Sequence, residues 1–425
     1  MRTAVILSLF WFLALAGLGT YFPFYSLYLH ENLGLSATEV GFVMSVVPLI
    51  GMLVQPSWGH LADRSGERAR VLGLISAGAA VLYFLLTGAR GLGPALIGTA
   101  ILATFSTAII PIAVSTTFAL VRPLGPHAFG LVRVWGTVGF FVSVVGFPWM
   151  LGLFDSNALP ATVWPATVWQ GWLATTPQST QPLLGLLLPT TAFCLMVAAA
   201  ITLFLPRAKA SDVKASPGDW RLLLGNHAFL RLLGFTFLAY FFLQGPMALF
   251  PLFVRSLGGG VDTVSQMWIF MLLLEVPLIA ASGAGLARVG ARGLIAIGIV
   301  AGSLRWVISA TSVDMNVIFA AQLLHGVTVT GLIIGAPLYV EAVVPPQLRA
   351  TGQGVLAMVG VSLGGILSNL CAGSLMDWAG PKAPALWGGI AAGGLACALP
   401  WILPRPTRSP HLPIAEAVES VGSEI

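Results

Sequence analysis

The sequence is poor in charge: Asp, Glu, Lys and Arg together make up 8% of its 425 residues. A water-soluble surface needs several times that fraction, so a soluble domain is excluded. Cysteine is scarce as well. Cys194, Cys371 and Cys397 lie in apolar runs without disulfide or metal-ligand spacing, which excludes a disulfide framework. The six histidines (30, 60, 127, 227, 325 and 411) are scattered and build no His-Glu-x-x-His helix. An enzyme would need a nucleophile beside a base, or metal ligands at helical spacing, so neither an enzyme nor a metal or cofactor site is expected. A Gly-x-x-x-x-Gly-Lys phosphate loop is missing too, and ATP-driven transport has no motor in this chain. The net charge of +5 is spread singly over short loops, so nucleic acid is not an expected partner.

What is abundant is hydrophobic length. Apolar residues make up 57% of the chain and mean hydropathy is +0.92. Runs of about 20 apolar residues, enough to cross a hydrocarbon core, recur from end to end. The 49 glycines and 28 prolines fall largely inside them, as helix-packing and kink residues do in membranes. Twelve spans are expected, near 3–29, 38–61, 71–89, 93–121, 128–153, 182–206, 227–254, 263–286, 292–311, 315–343, 350–376 and 384–404. Arg2 before an apolar run, with Ala14-Leu15-Ala16, mimics a cleaved signal peptide. The apolar character continues through Tyr21-Phe22-Pro23-Phe24 to Leu29, so a retained first helix is the expectation.

The loops sort by charge. One side holds Arg64, Arg68, Arg70, Arg122, Arg207, Lys209, Lys214, Arg221, Arg288, Arg292 and Arg349, joined by Arg2, Arg405 and Arg408 of the termini. The other holds Arg90, Arg255 and Lys382. The positive-inside rule then puts both termini in the cytoplasm, as an even number of spans also requires. The expected location is the cell membrane (the inner membrane in a Gram-negative bacterium). The polar stretch 207–226 divides the chain into six-helix bundles at 1–206 and 227–404. A polar tail, 405–425, is expected to be disordered. The long outer stretch 154–181 carries Trp164, Trp169 and Trp172, which read as an interfacial aromatic belt, with a substrate gate as the alternative. A short repeat supports the division: Gly59, Arg64, Gly66 and Arg68 recur 224 positions later as Gly283, Arg288, Gly290 and Arg292. In both halves the stretch joins the second span to the third, and half-length repeats of this kind build many transporters.

Charges inside the spans are few, and each costs about 2.5 kcal/mol or more against lipid. Arg133, Thr137 and Phe140, spaced four and three apart, share one helical face. They are expected to look onto a central cavity, with Arg133 snorkelling to the headgroups as the alternative. Gly136 and Gly139 clear the adjoining stripe for a neighbouring helix. Glu275 lies mid-span between Leu274 and Val276. Burial disfavours its charged form and a nearby Arg favours it, so alternation between two environments can load and release a proton. Glu275 is expected to carry the proton, His325 to assist and Arg305 to supply counter-charge. A static Glu–Arg pair and a core histidine are the structural alternatives. Gln244, before the Gly245-Pro246 kink, is a candidate solute contact.

The run Gly59-His60-Leu61-Ala62-Asp63-Arg64-Ser65-Gly66-Glu67-Arg68 resembles the loop signature of the major facilitator superfamily. The resemblance covers nearly the whole chain. It implies an all-α membrane protein, with twelve transmembrane helices in two pseudo-symmetric six-helix bundles rocking about a central site. It also implies that Gly59, Asp63, Arg64, Gly66 and Arg68 form a conformational-switch loop. Around Arg133 the chain is similar to nucleoside–proton symporters, whose positions matching Arg133, Thr137, Phe140, Gln244 and Glu275 lie at the solute. Met247 and Leu272 depart from that pattern, where polar residues stand in the family, and His325 replaces a phenol. Arg133, Arg305 and His325 also resemble the lactose-permease type. There, however, Thr328 replaces the proton-carrying carboxylate, and the fourth helix from Ile109 to Leu120 has no acid. Uptake of a nucleoside-like solute by a monomer, with protons as co-substrate and lipid around it, is the expectation. A sugar or aromatic-acid symporter, a proton-driven exporter and a non-transporting solute receptor are its alternatives. The exporter signature survives only as Gly139, Gly146 and Pro148, with Phe147 breaking the Gly-Pro pair.

Overall fold

A computed structural model describes residues 2–121, 128–154, 182–206, 221–280, 282–345 and 348–404. The three loop tryptophans and the tail lie outside the described residues, as do most of the linker and the side chain of Asp63. Among the described residues there is no strand, and twelve helices are long and apolar enough to cross a membrane. They are α1 (Arg2–Glu31), α2 (Ala37–Ala62), α3 (Arg68–Leu86), α4 (Leu92–Val121), α5 (Ala128–Gly152), α6 (Leu183–Thr202), α7 (His227–Ala248), α8 (Val261–Ile279), α9 (Arg288–Thr311), α10 (Met315–Val343), α11 (Thr351–Ala379) and α12 (Ala383–Ile402). Every expected span is present. Two edges differ: α7 stops at Ala248 and a separate short helix, Phe250–Ser256, follows it, and α8 ends at Ile279 where 286 was expected.

Packing repeats with a period of six helices. In the first half α1 lies against α5 and α6, α3 against α4 and α6, and α2 against α4. Adding six to each label gives the second half: α7 with α11 and α12, α9 with α10 and α12, and α8 with α10. The halves meet through α2 with α11 and α5 with α8, two contacts that the same operation interchanges. In the sequence repeat Gly66 and Gly290 both take positive φ, 66° and 70°, with ψ of 5° and 171°. Glycine reaches positive φ without the Cβ clash that other residues meet, which permits a turn after α2 at Gly66 and a kink at the start of α9 at Gly290.

Helix α5 shows how sequence selects its two faces. Val134, Trp135, Val138, Phe141, Val142 and Val145 are exposed, the stripe a lipid solvent wants. Gly136 and Gly139 are buried on the opposite side. A Cβ at Gly139 would collide with the Phe12 carbonyl of α1, so the expected close approach is realised. Gly331, Gly335, Gly360 and Gly364 likewise sit where another backbone or side chain comes within 3.2 Å of an added Cβ.

The halves are sealed at one end, the end of Arg90, Arg255 and Lys382. There the Asp377 carboxylate of α11 accepts the first two backbone N–H groups of α2, from Ala37 at 3.1 Å and Thr38 at 2.7 Å. Deeper along this seam Ser45 Oγ donates to the Ile366 carbonyl (3.1 Å) and Asn369 Nδ2 to that of Met44 (3.3 Å). Across the second seam Ser265 Oγ of α8 donates to the Val144 carbonyl of α5 (2.6 Å). Glu31 and Arg255 form a largely buried ion pair between α1 and the short helix. Toward the arginine-rich end the first seam splays. Gly41 and Gly373 are in backbone contact with the opposing helix, whereas Gly59 and Gly354 have nothing within 4 Å of an added Cβ.

Candidate functional site

Between the halves lies a cavity of about 470 Å³ lined from both sides. Arg133, Thr137 and Phe140 reach it from α5, Gln244 and Met247 from α7, Leu272 and Glu275 from α8, Arg305 from α9, and His325 and Thr328 from α10. All seven solute and proton residues expected from the sequence therefore meet in one chamber. The loop residues Gly59, Arg64, Gly66 and Arg68 lie apart from it at the arginine-rich end, where Arg64 is exposed and Arg68 is buried.

The floor toward the sealed end is aromatic. Trp268 sits 5.6 Å from Phe22, 5.9 Å from Phe140 and 6.2 Å from His325, centroid to centroid. One indole thus joins rings from both halves. From the Ser265–Val144 bond, Glu275 is ten residues along α8 and Arg133 eleven residues along α5. At 1.5 Å per residue both lie about 15 Å beyond the seal, so they sit at the same depth across the cavity.

Arg133 does not snorkel to the end of its helix. Its guanidinium lies 4.5 Å over the Trp11 ring of α1, a cation–π contact, and it borders the cavity. Among the described residues it makes no ion pair or hydrogen bond, and its Nη1 lies beside Gly136 of its own helix.

Arg305, 2% exposed, is held on every side. Nε donates to Gln322 Oε1 at 2.9 Å and Nη1 to His325 Nδ1 at 3.0 Å, while Nη2 points at the sulfurs of Met247 and Met271. Its plane stacks 4.1 Å over Trp306. Gln322 is in turn fixed by Ser309 and by the Ile318 carbonyl. A donor on Nδ1 leaves the proton of the neutral imidazole on Nε2, and Nε2 lies 3.7 Å from Glu275 Oε2. Gly326 makes this possible: an added Cβ there would meet the backbone of Glu275, so α8 and α10 touch next to His325. The direct Glu275–Arg305 pair considered from sequence is not formed. A chain runs from Glu275 through His325 to Arg305, because the imidazole occupies the space between the two charges.

Trp11, Trp268 and Gln322 join these contacts without having been expected from the sequence. Gln322 had a signal, standing three residues before His325 as Ser309 stands four after Arg305, so each pair shares a helix face. The tryptophans had none, since one more aromatic in an apolar helix looks like core. Met247 and Leu272, where the nucleoside symporters carry polar residues, do line the cavity. Near the arginine-rich end Glu341 pairs with Arg349 at 3.1 Å.

Residues 4–384 match the model of the MFS_1 like family. The chain is 26% identical to the maltose permease of Geobacillus stearothermophilus over 375 residues, 88% of this chain and 87% of that one. It is 25% identical to the putative nucleoside transporter YegT of Escherichia coli (strain K12) over 402 residues, 89% and 85% of the two chains. In three dimensions it superposes on the nucleoside transporter NupG with a TM-score of 0.80 at 18% identity, covering 95% of this chain and all of that one. That likeness is one of fold. The relatives are transporters rather than enzymes, and they act on small solutes. This multi-pass membrane protein belongs to the MFS_1 like family of the major facilitator superfamily.

Proposed function

We propose that this transporter couples proton entry to the uptake of a small polar organic solute, nucleoside-like in presenting a planar ring with hydrogen-bonding edges. The observation that carries the reading is the Glu275–His325–Arg305 chain on the wall of a cavity shared by both halves. Protonated Glu275 is neutral and has no claim on His325. Ionised Glu275 draws the Nε2–H toward it and is stabilised by the guanidinium behind. The two states give the second bundle a different charge on the face it turns to the first, which is the kind of differential interaction that alternating access requires. Trp268 and Phe140 offer stacking faces to the ring; Gln244 and Arg133 offer groups to its polar edge.

In this reading 1–206 and 227–404 are the two rocking bundles, with 207–226 as linker and 59–68 as switch loop. The sealed end faces outward and both termini lie in the cytoplasm, so the conformation is inward-facing. One chain supplies both walls of the site, which supports action as a monomer. A sugar is the second candidate solute, favoured by the likeness to maltose permease over most of both chains.

Uptake of nucleosides, sugars and small aromatic acids into proteoliposomes, with and without an inward proton gradient, tests the reading. Accumulation above the external concentration only with the gradient is expected. Equal uptake in both conditions would overturn proton coupling.

A further inference from the structure

We infer that the solute of this cavity is an acid: its ring body carries a carboxylate, and Arg133 receives it. The inference rests on the symport reading above and goes one step past it.

Among the described residues the cavity wall holds two guanidinium groups, Arg133 and Arg305, and a single carboxylate, Glu275. With His325 neutral, the sum is +1 when Glu275 is ionised and +2 when it is protonated. Charge at membrane depth is costly unless it is balanced, and a surplus cation in a solute site is balanced by an anion. The two arginines are not equivalent. Arg305 is engaged by Gln322, His325, two sulfurs and the face of Trp306. Arg133 lies over Trp11, borders the chamber and has no hydrogen bond or ion pair among the described residues. A fork held flat by a ring is preorganised for a bidentate carboxylate. Its surroundings leave it otherwise unanswered: Thr137 is uncharged, and Gly136 beside it carries no side chain.

The same count supplies coupling. An anion on Arg133 lies across the chamber from Glu275, at the same depth. Ionised Glu275 repels it, and protonated Glu275 does not. Solute and proton therefore favour each other's binding, and the effect is reciprocal. A neutral solute gains no such linkage from charge. The aromatic floor of Trp268, Phe140 and Phe22 takes the ring of the same molecule. One proton and one monoanion then cross together with no net charge.

The test uses matched pairs on the full chain in nanodiscs: uridine 5′-carboxylate against uridine, benzoate against benzyl alcohol, glucuronate against glucose. Binding is read by tryptophan fluorescence and uptake in proteoliposomes. At least one acid is expected to bind tenfold or more tightly than its neutral partner. Its affinity falls as pH rises, and its proton-driven uptake is electroneutral. Arg133→Gln levels the pair, and Glu275→Gln removes the pH dependence while keeping the preference for the acid. Thermal unfolding of both variants establishes that they are folded. Neutral partners that bind as well as the acids, or not one acid binding, overturn the inference. A neutral solute accumulated by the proton gradient overturns it and leaves symport standing. An acid that binds through Arg133 but ignores the gradient keeps the charge match and removes the symport reading.

Discussion

The seal between the halves carries one contact whose loss is calculable. Asp377 of α11 caps the N-terminus of α2 in the opposite half, accepting from Ala37 and Thr38. The first N–H groups of a helix have no partner of their own, and a carboxylate there also meets the positive end of the helix dipole. Removing a side-chain cap costs about 0.5–2 kcal/mol. Asp377 is exposed, so water re-solvates the freed groups and the lower half applies, about 1 kcal/mol. The cap exists only while the seal is closed, so Asp377→Ala should raise the fraction of molecules open at this end about fivefold. A cysteine in place of Ser45, a buried residue of the same seam, reports the opening to a bulky membrane-impermeant maleimide. The background must lack Cys194, Cys371 and Cys397. With opening fast against labelling, the rate follows the open population. The expected result is labelling about five times faster for Asp377→Ala, and less than that for Asp377→Asn, which keeps one acceptor oxygen. Ser374→Ala, one turn away and bonded within its own helix, should change nothing. An unchanged rate in Asp377→Ala, or an equal rise in the control, would refute the cap as a closing element.

Other outcomes follow from the site and its packing. Glu275→Gln should retain solute exchange and lose gradient-driven accumulation; unchanged accumulation would remove Glu275 from the mechanism. Gln322→Ala strips the buried Arg305 Nε of its acceptor, a charge-assisted bond worth about 1.5–3 kcal/mol, so thermal unfolding should occur at lower temperature. Gly139→Val drives a side chain into the Phe12 carbonyl and should destabilise α1 against α5 by about 1–3 kcal/mol, whereas Gly146→Val, with open space around it, should not. Arg133→Lys keeps the charge but loses the planar fork, so solute affinity measured by fluorescence should fall.

How much of this was legible follows from the reach of each signal. Hydrophobic run length is a property of consecutive residues, so the twelve spans appear in the sequence almost at their final edges. The repeat of Gly66 and Gly290 is likewise local, and both glycines take the positive φ that makes glycine useful there. That these seven residues line one cavity was foreseeable because polar groups are expensive in lipid and few can be placed there. Partnership was a different matter. Sequence suggested that Glu275 and Arg305 share a site but not that His325 would stand between them, because that depends on how closely α8 and α10 approach at Gly326. Nor did it single out Trp11 beneath Arg133, or Asp377 as a cap on a helix some 340 positions away.

By itself, then, the sequence determined that this chain crosses a bilayer twelve times and that a handful of charged groups must hide from the lipid. Both follow from the cost of transferring residues between water and hydrocarbon, which is added up along the chain. Only the tertiary structure decided which of those groups touch, which arginine is occupied and which stands open, and which end of the seam is shut. Those are matters of ångström-scale approach between helices distant in sequence, and no transfer energy encodes them.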